Sequence, residues 1–389
     1  MTARRGVIVV TALAAGVSFA NLTVALPLVV LARGGRPSLA GLLLAANILA
    51  YSLGALLAFA SPRPEAALAA AMAALAAGGL ACGLGPGLAG PAIGGVAQGA
   101  GMGLFWVGAQ SALGRRAGEP GSAAAFAGQY ALYILGTIAG AILTGAAIGS
   151  LRLAGVGGEA SIRLSFLVGA VSSLAGLAPL LARACERPAL TQPSRASLPL
   201  PLHGFLLQLP DFLLVAGLSA LGTLAPVVLR HDFRLSPSLV AVAATATAAA
   251  KAAGSLTAAR LVRRLGNRRT VGSMLAASAA CAWLLVAVDR VWLFIPLLAV
   301  TIFLGAGAWP VCVDGALARV SPSERSLLAV SWNLREPGAM AISTLAGGYL
   351  LDVDGGRALL LALAGGLFAA AAMATLAVFR RPIRAPEVA

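Results

Sequence analysis

Residues 254–269 read Gly-Ser-Leu-Thr-Ala-Ala-Arg-Leu-Val-Arg-Arg-Leu-Gly-Asn-Arg-Arg, with five arginines (Arg260, Arg263, Arg264, Arg268 and Arg269) inside ten residues. In a soluble protein such a cluster would suit phosphate and suggest nucleic acid. Its surroundings exclude that, because long, mostly apolar runs precede and follow it. A short basic loop between two spanning helices instead anchors topology on the cytoplasmic side. Composition agrees: 59% of residues are hydrophobic, only 11% are charged, and mean hydropathy is +0.92. A soluble domain carries about 25% charged residues. The net charge of +15 sits in the short gaps between apolar runs. There it sets orientation and meets anionic lipid headgroups.

Hydropathy places twelve spans near 6–32, 38–61, 65–85, 91–113, 122–150, 162–183, 204–229, 237–259, 270–288, 291–318, 325–351 and 357–379. With the N-terminus inside, 18 arginines fall in cytoplasmic gaps and 8 outside, and Arg335 lies within a span. That bias puts both termini in the cytoplasm of an inner-membrane protein. Met-Thr-Ala-Arg-Arg leads into an apolar run too long for a signal peptide. Residues 184–203, with four prolines, divide the chain into an N-terminal half, 1–183, and a C-terminal half, 204–389. The halves repeat at an offset of 200: Pro37-Ser-Leu answers Pro237-Ser-Leu, and Gly54-x-Leu56 answers Gly254-x-Leu256.

The outline Gly-x-Leu-x-x-Arg with its following arginines resembles the signature loop of the major facilitator superfamily of secondary transporters. In that family the loop joins the second and third helices of each six-helix half; here it joins the eighth and ninth. The resemblance implies an all-α membrane fold of twelve helices in two pseudo-symmetric halves, with a site where the halves meet. It makes Gly254, Gly266 and the five arginines a gating loop, bracing the inner gate against acids such as Glu119. Some family motifs are eroded. Ala58 stands where the first-half loop carries an acid, Gln98-Gly99-x-Gly101 lacks its preceding Arg, and Gly136 to Gly145 lacks the antiporter proline.

Charges well inside spans are confined to the second half: Lys251, Asp314, Arg335 and Glu336, with Asp211 on the border. Each costs roughly 2.5–3.5 kcal/mol at mid-membrane unless paired or hydrated. At 1.5 Å per residue, Asp314, Lys251 and Arg335 lie roughly 8, 13 and 16 Å from the cytoplasmic helix ends, a depth that would let them cluster. They are candidates for substrate binding or proton coupling, and equally for a self-neutralising structural network. Pro337 beside them predicts a kink. Phe105, Trp106, Tyr130, Tyr133, Trp309 and Trp332 would supply apolar walls with polar handles, and Tyr51 stands at the first-half position of Lys251. Asn21, Gln98, Gln110, Gln129 and Asn333 are polar groups for which helix–helix hydrogen bonds and ligand contacts are equal explanations.

Four cysteines without paired spacing and two histidines flanking one helix make no metal or disulfide motif, and no cofactor is expected. Nothing resembles an enzyme's nucleophile or metal centre. The expected function is secondary active transport of a small organic solute, with proton coupling an open question. The apolar walls lean toward efflux of amphipathic compounds. Lys251 and Arg335 leave uptake or exchange of an organic anion as the alternative, with a passive facilitator also open. A monomer in membrane lipid is expected, with no nucleic-acid partner.

Overall fold

The computed structural model describes residues 2–61, 63–114, 122–182, 202–320 and 322–380. These form eleven helices: α1 (Thr2–Ala32), α2 (Pro37–Ala60), α3 (Pro64–Leu84), α4 (Ala89–Gly114), α5 (Ser122–Leu153), α6 (Gly158–Leu181), α7 (Leu202–His231), α8 (Pro237–Val286), α9 (Val291–Leu317), α10 (Pro322–Leu350) and α11 (Gly356–Val378). Four of them, α2, α3, α8 and α10, begin on a proline, whose fixed φ suits the first helical turn and whose missing N–H is not needed there. Ten helices are long and apolar enough to cross a membrane, so the chain is an integral multi-pass membrane protein; α10 is not among the ten. Large apolar side chains face outward, including Leu53, Leu57, Ile93, Val171, Leu256, Trp292 and Ile342. Such a surface is suited to lipid and would aggregate in water.

The expected junction between the eighth and ninth spans is a sharp break at Gly266 between two helical arms. Residues 237–286 run as α8, and the backbone leaves the helical region only at Gly266, with φ 74° and ψ 161°. Residues 254–265 contain no proline and are rich in Ala, Leu and Arg, all strong helix formers, so helix propagates through the basic stretch. Gly266 breaks it because that backbone geometry is open essentially to glycine alone.

The chain divides into two compact units, residues 1–193 with 225–248, and residues 194–224 with 249–389. In the first, α1 packs on α5 and α6, and α4 packs on α2 and α3. Glycines permit the close approaches. A Cβ on Gly54 would strike the Ala100 carbonyl, and one on Gly136 the Leu13 carbonyl. Parallel α1 and α5 keep a constant register, with Leu13 at Gly136, Val17 at Gly140 and Asn21 at Thr144. The second unit repeats these devices. Gly254 meets the Phe303 carbonyl, and Gly307 packs on the Gly254 backbone as Gly103 does near Gly54. Parallel α7 and α10 are pinned by Gln208 to Leu328 and by Ser219 to Thr344. Even the turns recur 200 residues apart, with Gly34 and Arg234 both left-handed ahead of Pro37 and Pro237. Glu119 and residues 184–201 of the expected linker lie outside the described residues.

Candidate functional site

In the second unit, α7 and α10 bring two acids together. Gln208, Asp211 and Phe212 are neighbours at helical spacing on α7. The Gln208 amide donates to the Leu328 carbonyl at 3.2 Å and accepts from the Ser331 hydroxyl at 3.0 Å, which fixes the register of α10. That register sets Trp332 and Glu336 against Asp211. Asp211 is fully buried, and neither carboxyl oxygen has a hydrogen-bond partner of good geometry. The buried Trp332 indole N–H acts on this carboxyl without closing a well-formed bond. Glu336 lies within electrostatic reach of Asp211 and is approached by the Trp309 indole of α9, with the Cys312 thiol beside both acids. Asp211 ranked only as borderline in the sequence because it lies near a helix start, directly after Pro210. The signal that could have raised it is the i, i+3 pairing with Gln208.

No ion pair among the described residues joins any two of the four charges expected to cluster. Asp314 is exposed and accepts from Asn267 Nδ2 at 3.0 Å, just past the Gly266 break. Arg335 is exposed with its guanidinium 5.7 Å from the Phe205 ring centre, while its neighbour Glu336 turns toward Asp211. Lys251 is half-buried on α8, three residues before Gly254, and Asn333 is half-buried on α10.

The gating-loop residues fall into two groups. Arg260, Arg263 and Arg264 are exposed along the first arm of α8. Gly266, Asn267, Arg268 and Arg269 line an open cleft with Leu265 and Arg319. Arg319 donates to the Gly315 carbonyl at 2.5 Å and the Phe379 carbonyl at 3.2 Å, and its guanidinium lies 4.4 Å from the Phe379 ring centre. Partial burial holds it below the ordinary guanidinium value.

In the first unit the expected aromatics do converge. Trp106 is edge-on to Tyr133 at 4.9 Å and to Phe105 at 5.4 Å, with Tyr130 at 6.2 Å. Phe19 extends the group to 6.1 Å from Tyr133, and Tyr51 packs on the same core. Phe105 is fully buried; Tyr51, Trp106, Tyr130, Tyr133 and Gln110 are half-buried. Asn21 is instead a helix clamp, donating to Thr144 Oγ1 at 2.8 Å and to the Ser165 carbonyl at 3.0 Å. Gln98 and Gln129 are buried.

Residues 211–389 match the family model "Major Facilitator Superfamily". No curated protein matches the chain in sequence. Among solved structures, the fold is similar to a bacterial homologue of the human lysosomal transporter Spinster in an inward-facing and occupied conformation, with TM-score 0.72 and 16% identity over 97% of this chain and 94% of that one. It is similar to the peptide transporter POT in complex with sulfate, with TM-score 0.72 and 15% identity over 96% and 94%. A D-xylose–proton symporter gives TM-score 0.72 and 15% identity over 96% and 97%. Residues 211–389, just under half of the chain, are thus similar in sequence to the Major Facilitator Superfamily, and the fold along nearly the whole chain is similar to that of these solved transporters.

Proposed function

We propose that the protein is a secondary active transporter that moves a small organic solute by alternating access and exchanges it for a proton held at Asp211 and Glu336. The observation that carries this reading is the acid pair, Asp211 fully buried and Glu336 half-buried, which no ion pair among the described residues joins to a base. Two close carboxylates repel each other and are costly to desolvate, and a shared proton relieves both costs. The fold is also similar to a symporter named for its coupling to protons. Efflux of amphipathic compounds fits best, because the half-buried aromatics around Trp106 offer apolar contact with hydroxyl handles.

In this reading α8 crosses twice, turning at Gly266, and α10 crosses once, which gives twelve spans in two halves, 1–183 and 204–389. The protein works as a monomer in the cytoplasmic membrane with both termini inside. The arginine-lined cleft at Gly266 then meets headgroup phosphates and braces the inner gate through Asn267 and Asp314. Lys251 favours a second reading, binding of an organic anion, because no described acid pairs with it.

Reconstitution tests the proposal. Proteoliposomes under an imposed pH gradient are offered neutral amphipathic dyes, organic cations and organic carboxylates. Solute movement against its own gradient that a protonophore abolishes supports the reading. Movement that only follows the solute's own gradient, and ignores the protonophore, identifies a passive facilitator.

A further inference from the structure

The cleft at the Gly266 break gathers more positive charge than membrane topology asks for. Leu265, Gly266, Asn267, Arg268, Arg269 and Arg319 line a volume of about 440 Å³. None of these is an acid; Asp314 approaches through Asn267 Nδ2, at 3.0 Å. Three guanidiniums thus share one concavity with a single carboxylate beside it. The positive-inside rule sets arginines near a membrane boundary and is indifferent to whether they converge. Arg260, Arg263 and Arg264 already meet that rule from the exposed face of the first arm.

The backbone adds to this charge. The chain leaves the helical region at Gly266, so the second arm of α8 starts there, and a helix start presents N–H groups without intrahelical partners. Glycine has no side-chain oxygen to cap them. The positive end of the helix dipole favours acids, whereas Asn267, Arg268 and Arg269 set two cations there. Side-chain donors are left over as well. Nε of Arg268 and Nε of Arg319 are buried without a hydrogen-bond partner among the described residues. Arg319 is held in place, because its other nitrogens donate to the Gly315 and Phe379 carbonyls and its guanidinium sits over the Phe379 ring. One bound anion relieves all of these costs. A phosphate monoester suits best, with three acceptor oxygens and a charge of about −1.5 to −2 near neutral pH.

We propose that the cleft at Gly266 is a binding site for a phosphate group, held by Arg268, Arg269, Arg319 and the backbone N–H groups that follow Gly266. The proposal rests on the transport reading above only in setting the cleft at the boundary between membrane and cytoplasm. Phospholipid headgroups and free phosphates both reach that boundary. Leu265, exposed at the rim, offers an apolar contact that a lipid can use and inorganic phosphate cannot.

The test uses the full-length protein in uncharged detergent and equilibrium binding of dioctanoyl phosphatidic acid, with dioctanoylglycerol as the lipid lacking phosphate. Wild type should bind the phosphatidic acid at least about tenfold more tightly than dioctanoylglycerol. Arg268→Gln combined with Arg269→Gln should weaken it by about tenfold or more, the scale of a lost charge-assisted hydrogen bond. Arg260→Gln combined with Arg263→Gln removes the same charge from the exposed face, where solvent screens it, and should change affinity less than about twofold. Hydrogen exchange on wild type is the second readout and needs no variant to fold. Phosphatidic acid should slow exchange of the amides of residues 267–269, and dioctanoylglycerol should not.

Equal loss of affinity in the two paired variants overturns the site and leaves only diffuse attraction between a basic surface and an anionic lipid. Unchanged exchange at residues 267–269 overturns it too. Competition with inorganic phosphate separates the sources. Phosphate that displaces phosphatidic acid at comparable concentration assigns the site to a free phosphate. Phosphatidic acid that stays bound through a large excess of phosphate assigns it to a lipid headgroup. Both readouts measure binding without transport, so loss of this site leaves the flux reading standing, and absence of proton-coupled flux leaves this site standing.

Discussion

Asp211 of α7 and Glu336 of α10 act on each other's charge inside the second unit, and neither carboxyl oxygen of Asp211 has a hydrogen-bond partner of good geometry. A structural salt bridge would have supplied a basic partner, and a structural hydrogen-bond network would have supplied donors. The Gln208–Ser331 bonds nearby show that the same two helices can form a fully paired contact one turn away. Two acids without a base are what a working site would keep, and several consequences can be measured.

Lys251→Met separates the two substrate readings. With no acid partner among the described residues, Lys251 has no structural pair to lose. Transport of an amphipathic or cationic solute should change less than about twofold, below the ~1.4 kcal/mol that marks a factor of ten. Transport of a carboxylate, if present, should disappear. Flux assays on both solute classes with the folded variant decide the matter.

Asn21→Ala should behave as a packing lesion. It removes bonds from α1 to Thr144 on α5 and to Ser165 on α6, both buried. The expected loss is about 1–3 kcal/mol of stability. Solute affinity should be unchanged, as read by thermal unfolding and binding on the same sample. An affinity loss without a stability loss would make Asn21 a ligand contact instead.

Gly254→Ala should destabilise, because its Cβ would meet the Phe303 backbone carbonyl. Overpacking of this kind costs about 1–3 kcal/mol. Gly366→Ala is the control: no atom lies within 4 Å of its Cβ. There the ordinary helical preference should apply, a gain of roughly 0.5–1 kcal/mol. Paired melting curves should move in opposite directions.

Gly266→Ala should strain the break in α8. Its φ of 74° with ψ of 161° lies in a region that costs a side-chain-bearing residue of order 1–3 kcal/mol. Straightening the helix would relieve that strain and pull Asn267 away from Asp314. Transport rate should fall more than solute affinity, as read from initial rates against equilibrium binding.

Span positions were legible from the long apolar runs, and prolines at 37, 64, 237 and 322 open four of the helices. The basic stretch was read as the junction of two spans, and the backbone does break there, at Gly266; clustered charge marks a membrane boundary without saying how many residues the break takes. Depth along a helix was also readable, but facing was not. Asp314 and Cys312 are two residues apart, and one is exposed beside Asn267 while the other is buried against the acids. Arg335 and Glu336 diverge in the same way. Depth alone therefore does not say which residues share a face, and it underrated Asp211, whose surroundings depend on the register that Gln208 sets with α10. The aromatic group around Trp106 was easier to find, because Phe105 and Trp106 are adjacent on α4 and Tyr130 and Tyr133 lie one helical turn apart on α5.

The most direct test of the central claim is proton movement through the reconstituted protein, read by a pH dye in the vesicle lumen while a gradient of a transported solute is imposed. Wild type should move protons opposite to the solute, and Glu336→Gln should abolish that signal while the protein stays folded. Solute flux in wild type without any change in lumenal pH would contradict the account, as would undiminished proton flux in Glu336→Gln.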